Sequence, residues 1–294
     1  MGKQFLPHYF IIETTNLCNF TCPICPNALY ESTEKGNMSW ALFTELIDQI
    51  SSVAKVIQLY WMGEPLLNDN IFQMIEYCKI KTNAKVMLST NGSKLSSNVT
   101  NSLVRNGLDE IIISVDACDS QKIYSTIRVG GNLKELNENI CYLMKHKQKM
   151  NVVLQFIDMY INRSEKEPFL SKWGIQDCTV NIQCLYTWAN QFPSLNLASD
   201  NLSTVAKKKR IPCADLWNKM AIHWDGKVSA CCFDWNSRLT FGDAKDESLI
   251  SIWNNKKTEY IRYLHTTEEY DAISLCKDCN SWAEPNEYKN LYNL

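Results

Sequence analysis

The chemistry of this chain is concentrated in its cysteines. There are thirteen, and seven fall into two groups: Cys18, Cys22 and Cys25 near the start, then Cys213, Cys231, Cys276 and Cys279 in the last third. An odd count cannot be fully paired, and no secretory signal precedes them, so a reducing compartment without disulfides is expected. Metal or cluster ligation is the leading expectation for the seven. Cys78, Cys118, Cys141, Cys178, Cys184 and Cys232 show no such spacing and are expected to act as small buried hydrophobes. Three thiolates at the Cys-x3-Cys-x2-Cys spacing can hold three corners of a four-iron cube and leave the fourth iron open to another molecule. Structural zinc wants four ligands in close pairs, and none completes the first group: His8 lies across the preceding apolar run, and the next cysteine is Cys78. The second group has enough thiolates to saturate a cluster, and on residue types alone it would also satisfy a structural zinc.

These thiols need a scaffold, and the apolar pattern describes one. Short apolar runs at Tyr9–Glu13, Val56–Trp61, Lys85–Ser89, Glu110–Val115 and Val152–Phe156 read as strands, with Thr179–Cys184 a weaker sixth. They are continuous rather than alternating, which predicts a sheet buried on both faces. Between them, Ser39–Ile50, Ile71–Ile80, Asn98–Arg105 and Leu133–Lys147 carry apolar residues at helical spacing, with Ser39 placed as an N-cap. Strands and helices in alternation predict a parallel sheet covered by helices. Cys18 comes directly after the first strand. The first group is therefore expected on a loop at a strand's C-terminal end, the active-site face of barrel-type folds.

From Pro193 to Arg210 the sequence turns polar and ends in four consecutive basic residues. This reads as a solvated linker between two domains, 1–205 and 206–294. Beyond it, Ala221–Trp224, Asp225-Gly226 and Lys227–Ala230 predict a hairpin, and Leu249–Leu264 a helix. The formal net charge of -2 gives no electrostatic footprint for nucleic acid or an anionic membrane. No apolar stretch is long enough to span a bilayer, so a cytoplasmic protein with neither partner is expected.

Further motifs fall in the order of a known family. Gly63-Glu64-Pro65 follows the second expected strand, Ser89-Thr90-Asn91-Gly92 the third, and Ser114-Val115-Asp116 ends the fourth. Together with the first three cysteines, this set resembles the radical S-adenosylmethionine (SAM) superfamily over essentially the whole chain. Met62 stands where that motif has its first glycine, and Ile24 where an aromatic residue is frequent. In the last third, Cys213, Gly226, Cys231-Cys232-Phe233-Asp234, Gly242-Asp243, Ile252-Trp253-Asn254 and Cys276-x2-Cys279 resemble the SPASM/twitch domains of the same superfamily. No cysteine follows Cys279, which matches the truncated, one-cluster form.

The resemblance implies a fold, cofactors and roles. The fold class is α/β: a partial (β/α)6 TIM-like barrel with a small C-terminal α+β twitch domain, a truncated SPASM. The cofactors are SAM and two [4Fe-4S] clusters, a catalytic one on Cys18, Cys22 and Cys25 and an auxiliary one on Cys213, Cys231, Cys276 and Cys279. The turn Gly63-Glu64-Pro65 would orient the SAM ammonium, through backbone at Gly63 and the carboxylate of Glu64. Ser89 and Asn91 would contact the ribose, and Ile24 would give the adenine an apolar contact. Arg128 could pair with the SAM carboxylate or fork onto substrate oxygens, or form a surface ion pair. Asp116 and Gln155 end barrel strands and are equally open to substrate contact and to structural hydrogen bonding. Cys232 is left as a spare thiol beside the auxiliary cluster.

The family's chemistry is reductive cleavage of SAM to methionine and a 5′-deoxyadenosyl radical, which takes hydrogen from an unactivated carbon. The C-terminal cysteine spacing resembles that of the inosamine dehydrogenases of aminoglycoside pathways, a branch of natural-product biosynthesis. A carbohydrate-like or aminocyclitol substrate is therefore expected. Dehydrogenation would pass the second electron to the auxiliary cluster. Epimerisation would instead return hydrogen from a thiol such as Cys232, Cys184 or Cys178. The alternative is radical modification of a ribosomally made peptide; the seventeen residues before Cys18 hold no peptide-binding domain, which weighs against it. The expected partners are the substrate and an electron donor such as flavodoxin or ferredoxin, with the chain a monomer.

Overall fold

The structure, a computed structural model, describes residues 4–29, 34–192, 194, 209–279 and 282. Six strands occupy the first two thirds of the chain: β1 (Tyr9–Ile12), β2 (Val56–Gln58), β3 (Lys85–Thr90), β4 (Glu110–Ser114), β5 (Asn151–Asp158) and β6 (Thr179–Cys184). Each pairs in parallel with its sequence neighbour. Parallel neighbours need crossovers. The single turn α1 (Pro26–Leu29) and α2 (Trp40–Ile50) follow β1, α3 (Ile71–Lys81) follows β2, and α4 (Ser97–Arg105) follows β3. Then α5 (Gln121–Ile127) and α6 (Leu133–His146) follow β4, and α7 (Arg163–Trp173) follows β5. Ser39 caps α2 as its position predicts, its hydroxyl accepting from Leu42 N at 3.2 Å.

Successive strand residues point to opposite faces. Phe10, Ile12, Ile57, Leu88, Ile111, Ile113, Leu154 and Phe156 pack with Leu46, Ile47, Met74, Leu103 and Ile140 of the helices in the main core. Tyr9, Ile11, Val56, Met87, Ile112 and Val153 form a separate cluster on the inner face. Burial on both faces is the reason these strands read as continuous apolar runs. The edge strand β6 is the exception, with every residue half-buried or exposed, and its sequence is correspondingly the least apolar.

The sheet does not stop at β1. After α8 (Asp215–Asn218), β7 (Lys219–Ile222) pairs in parallel with β1, from Tyr9 opposite Lys219 to Ile12 opposite Ile222. Then β8 (Lys227–Ser229) and β9 (Thr240–Asp243) add antiparallel. One nine-stranded sheet results, in the order β6-β5-β4-β3-β2-β1-β7-β8-β9. The hairpin turn falls at Asp225-Gly226, with Gly226 at φ +95, in the left-handed region that favours glycine. The single helix expected over Leu249–Leu264 is two, α9 (Leu249–Trp253) and α10 (Lys256–Thr266). Asn255 breaks it: its side chain accepts from Thr258 N at 2.9 Å and donates to Phe241 O at 3.0 Å. Apolar periodicity runs unbroken through that junction and hides it. α5 and α7 were not expected; α5 is only two turns long, and α7 carries Pro168 in its interior. Most of the stretch read as a linker, and the boundary after residue 205, lie outside the described residues. Among the described residues no helix is long and apolar enough to cross a membrane.

Candidate active site

The loop leaving β1 carries Cys18, Cys22 and Cys25. Asn16 fixes its base, donating to Glu34 O at 2.7 Å and accepting from Gly36 N at 2.8 Å. Cys25 N bonds Cys22 O at 3.1 Å, so the last two cysteines share one turn, and Pro26 starts α1 directly after it. Cys18 is exposed, Cys22 buried and Cys25 half-buried. Burial pushes the Cys25 thiol up to about 11 and raises Cys18 too, and the neighbouring thiols add to both shifts. Iron, which takes thiolate, offsets that penalty.

The end of β2 presses on this loop. A Cβ on Gly63 would lie 2.3 Å from Thr15 O and 2.7 Å from Leu17 O, so only glycine fits. Glu64 N donates to Leu17 O at 2.8 Å. The Glu64 carboxylate is buried and accepts from Leu66 N (3.1 Å), Thr90 Oγ1 (2.8 Å) and Asn91 N (2.7 Å). It therefore holds the end of β3 to the end of β2, and burial raises it to about 7. Pro65 is buried at the start of a short 3-10 turn. Asn91 donates to Asn19 Oδ1 at 3.0 Å, which ties the β3 end to the cysteine loop. By strand alternation Ser89 and Gln155 share the inner face with Met87 and Val153.

Asp116 and Arg128 form an ion pair with each other. Asp116 is fully buried, with Oδ1 accepting from Ile157 N at 2.6 Å and Oδ2 taking Arg128 Nε at 2.6 Å and Nη2 at 2.5 Å. Asp116 clamps Arg128 at the strand end, with both carboxylate oxygens engaged within the fold. Burial works against the Arg128 charge, but Asp116 and the nearby Cys22 outweigh it and raise its pKa. Ile24 sits with Ile127, Met159 and Leu185 in a third apolar cluster. Tyr186 and Trp188 pack against Phe233, with ring centroids 5.5 and 5.8 Å away, so the segment after β6 closes onto the C-terminal region.

Cys213, Cys231, Cys276 and Cys279 line one small enclosed cavity, walled by Leu216, Ala230, Ile261 and Leu275. The adjacent Cys232 keeps its thiol hydrogen-bonded to that of Cys231 and also packs against the inner-face cluster of Tyr9, Ile11 and Ala221. Cys232 Sγ lies 3.8 Å from Asp215 Oδ2, which pairs with Lys219 Nζ at 3.0 Å. Burial pushes Cys276 up to about 12 and also raises Cys213. Sequence reasoning passed over His265, which belongs to no recognisable spacing and bridges Cys276 to the distant Cys213. It is 1% exposed, its Nδ1 accepts from Cys213 N at 3.2 Å, and its Nε2 lies 3.4 Å from Cys276 Sγ. Arg210 donates to Cys276 O at 2.6 Å and to Lys277 O at 3.1 Å.

Residues 12–168 match the radical SAM superfamily, and residues 213–280 match SPASM, an iron-sulfur cluster-binding domain. The chain belongs to the radical SAM superfamily. It is 24% identical over 292 residues to the S-adenosyl-L-methionine-dependent 2-deoxy-scyllo-inosamine dehydrogenase of Niallia circulans, with 96% of each chain covered. It is 23% identical over 319 residues to the tungsten-containing aldehyde ferredoxin oxidoreductase cofactor-modifying protein of Pyrococcus furiosus, covering 92% of this chain and 87% of that one. The crystal structure of BtrN in complex with AdoMet and 2-DOIA shares the fold, at a TM-score of 0.66, 21% identity and coverage of 95% and 94%.

The cofactors of this radical SAM enzyme are SAM and two [4Fe-4S] clusters. The donor chemistry fits: three thiols on one loop would leave an iron open, and four thiols around one small cavity would leave none. Among the described residues no three His, Cys, Asp or Glu side chains converge at the spacing of a single metal ion. The case for each centre rests on the loop or cavity its cysteines share.

A buried chain of hydrogen bonds joins the two regions. Glu13, just before the cysteine loop, accepts from Met62 N (3.2 Å) and Trp224 N (3.2 Å), and its Oε2 lies 3.4 Å from His223 Nδ1. His223 Nε2 lies 2.7 Å from Ser229 Oγ, which donates to Asp234 Oδ2 at 3.1 Å. Asp234 N in turn bonds Cys231 O at 3.0 Å. Trp61 stacks on His223 at 4.2 Å and donates to Cys232 O at 2.8 Å. The turn beside the first cysteines and the turn carrying Cys231 are thereby one framework.

Proposed function

We propose that this enzyme dehydrogenates a small polyhydroxylated substrate of the aminocyclitol or sugar class, oxidising a carbinol to a ketone. The observation that carries the reading is the four-cysteine cavity next to Cys232, whose thiol contacts Cys231 and packs against the inner-face cluster of the sheet. Dehydrogenation removes two electrons in separate steps, and a fully ligated cluster beside the substrate space suits the second. A reduced cluster held by Cys18, Cys22 and Cys25, with SAM on it, would supply the radical chemistry that removes the carbinol hydrogen; loss of the hydroxyl proton and of one electron to the auxiliary centre would complete the oxidation to the ketone. Gly63, Glu64 and Pro65 would form the turn under the SAM ammonium. Ser89, Asn91, Ile24 and Gln155 would line its remaining length, with Arg128, held by Asp116, providing positive charge nearby. The division into a barrel over 1–205 and an auxiliary domain over 206–294, a flavodoxin- or ferredoxin-type donor and a monomeric state belong to the same reading.

Epimerisation is the second reading, favoured by one observation: the Cys232 thiol packs on the inner face, where it could return hydrogen to a substrate radical. The test is anaerobic turnover of the reconstituted enzyme with SAM, dithionite and a panel of aminocyclitols and sugars, beginning with 2-deoxy-scyllo-inosamine. Dehydrogenation yields ketone and 5′-deoxyadenosine in equal amounts, with deuterium moving from the labelled carbinol into 5′-deoxyadenosine. An inverted substrate carrying solvent deuterium, lost in Cys232→Ala, would instead establish epimerisation. Turnover confined to peptides would overturn both.

A further inference from the structure

We propose that His265 sets the reduction potential of the auxiliary centre by donating its Nε2 hydrogen to the Cys276 sulfur. The proposal rests on the reading that Cys213, Cys231, Cys276 and Cys279 hold that centre. The argument begins with a tautomer. The backbone N–H of Cys213 can only donate, and it points at His265 Nδ1 at 3.2 Å. Nδ1 is therefore the acceptor nitrogen, and the single hydrogen of the neutral ring sits on Nε2. Nε2 lies 3.4 Å from Cys276 Sγ, within reach of an N–H···S bond. The ring is buried and held edge-on against Tyr270, with centroids 5.2 Å apart, so its direction is fixed by packing.

One side chain thus spans two of the three cysteine-bearing segments, and it delivers its only hydrogen to a sulfur. A donor at a ligand sulfur stabilises the more negative, reduced state of a cluster and so raises its potential. A raised potential is what an electron acceptor in a dehydrogenation needs. The other three cysteines have no such histidine, since His8, His146 and His223 bond elsewhere.

The test is an EPR-monitored redox titration of the reconstituted parent, His265→Phe and His265→Gln, with the catalytic centre of each sample as an internal reference. His265→Phe keeps a ring against Tyr270 and removes the donor. Its auxiliary centre is expected to become harder to reduce, with the oxidised-to-reduced ratio at fixed potential rising about tenfold, which is about 59 mV for one electron. The catalytic centre stays in place, and His265→Gln, whose amide can still donate, recovers part of the shift. Equal auxiliary potentials in the parent and the phenylalanine variant would overturn the proposal. Pulsed EPR on the parent, with histidine labelled by 15N, needs no variant to fold. A histidine nitrogen coupled to the reduced auxiliary centre supports the bond, and its absence refutes it. If the parent holds only about four irons, and Cys18/Cys22/Cys25→Ala holds none, the auxiliary centre itself is missing and the underlying reading has failed rather than the hydrogen bond.

Discussion

Replacing Asp116 by Asn tests whether the Asp116–Arg128 pair is the clamp its geometry describes. Asp116 is fully buried at φ +60, a backbone conformation that asparagine tolerates, so the variant changes charge with little change of shape. It leaves the Arg128 guanidinium, itself only 12% exposed, without its carboxylate. Removing one partner of a buried ion pair typically costs about 3–5 kcal/mol, because the remaining charge stays desolvated. At about 2–4 °C per kcal/mol for a domain of this order of size, the melting temperature should fall by roughly 6–20 °C. The assay is anaerobic thermal unfolding of Asp116→Asn, Arg128→Met and the double variant. The double variant should recover most of the loss, since it removes the stranded charge as well. An Asp116→Asn protein melting within about 2 °C of the parent, or a double variant no better than the single, would refute the clamp.

Glu64 gives a pH prediction. Its folded pKa of about 7 lies above the ordinary 4.5 because of burial, so its contribution is complete below 4.5 and is lost as pH rises through about 7. Relative to Glu64→Gln, the parent should lose up to roughly 3 kcal/mol across that window, read from urea midpoints; parallel curves for the two proteins would contradict it. Gly63→Ala should displace the loop before Cys18 by about 1 Å, because its Cβ would meet Thr15 O at 2.3 Å. The expected result is loss of the catalytic centre's SAM-dependent EPR change with the auxiliary centre retained. Iron content should be about eight per chain in the parent and about four in Cys18/Cys22/Cys25→Ala. Asn255→Ala, which removes the cap between α9 and α10, should cost about 1 kcal/mol in chemical unfolding.

The sequence revealed most where one residue type has one use. Cysteine spacing picked out three thiols that share one loop and four that share one cavity, and continuous apolar runs located the strands, because a parallel sheet buried on both faces leaves few polar positions to interrupt them. It was least informative where meaning depends on distant partners. Asp116 could not be told from a substrate ligand until Arg128 and Ile157 N were seen to occupy both its oxygens. His223 and His265 carry no local motif; each ring bridges a partner nearby in sequence, Ser229 or Cys276, to one more than fifty positions away, Glu13 or Cys213. Asn255 ended a helix that periodicity carried straight through, since a cap acts through one hydrogen bond that hydropathy does not register.

The position of β1 within the sheet bears on how this enzyme can be taken apart. A module joined by a tether can be cut off or exchanged like a cassette. Here β7 lies against β1 through four paired positions, so among the described residues the region from α8 onward supplies the neighbour on that side of a fully buried strand. Deleting it would bare the Tyr-Phe-Ile-Ile backbone as a flat apolar edge, the kind that recruits strands from other molecules. Any graft of a foreign auxiliary module must bring its own partner for β1, and a shortened form of this chain would be expected to aggregate before its catalytic loop could be tested.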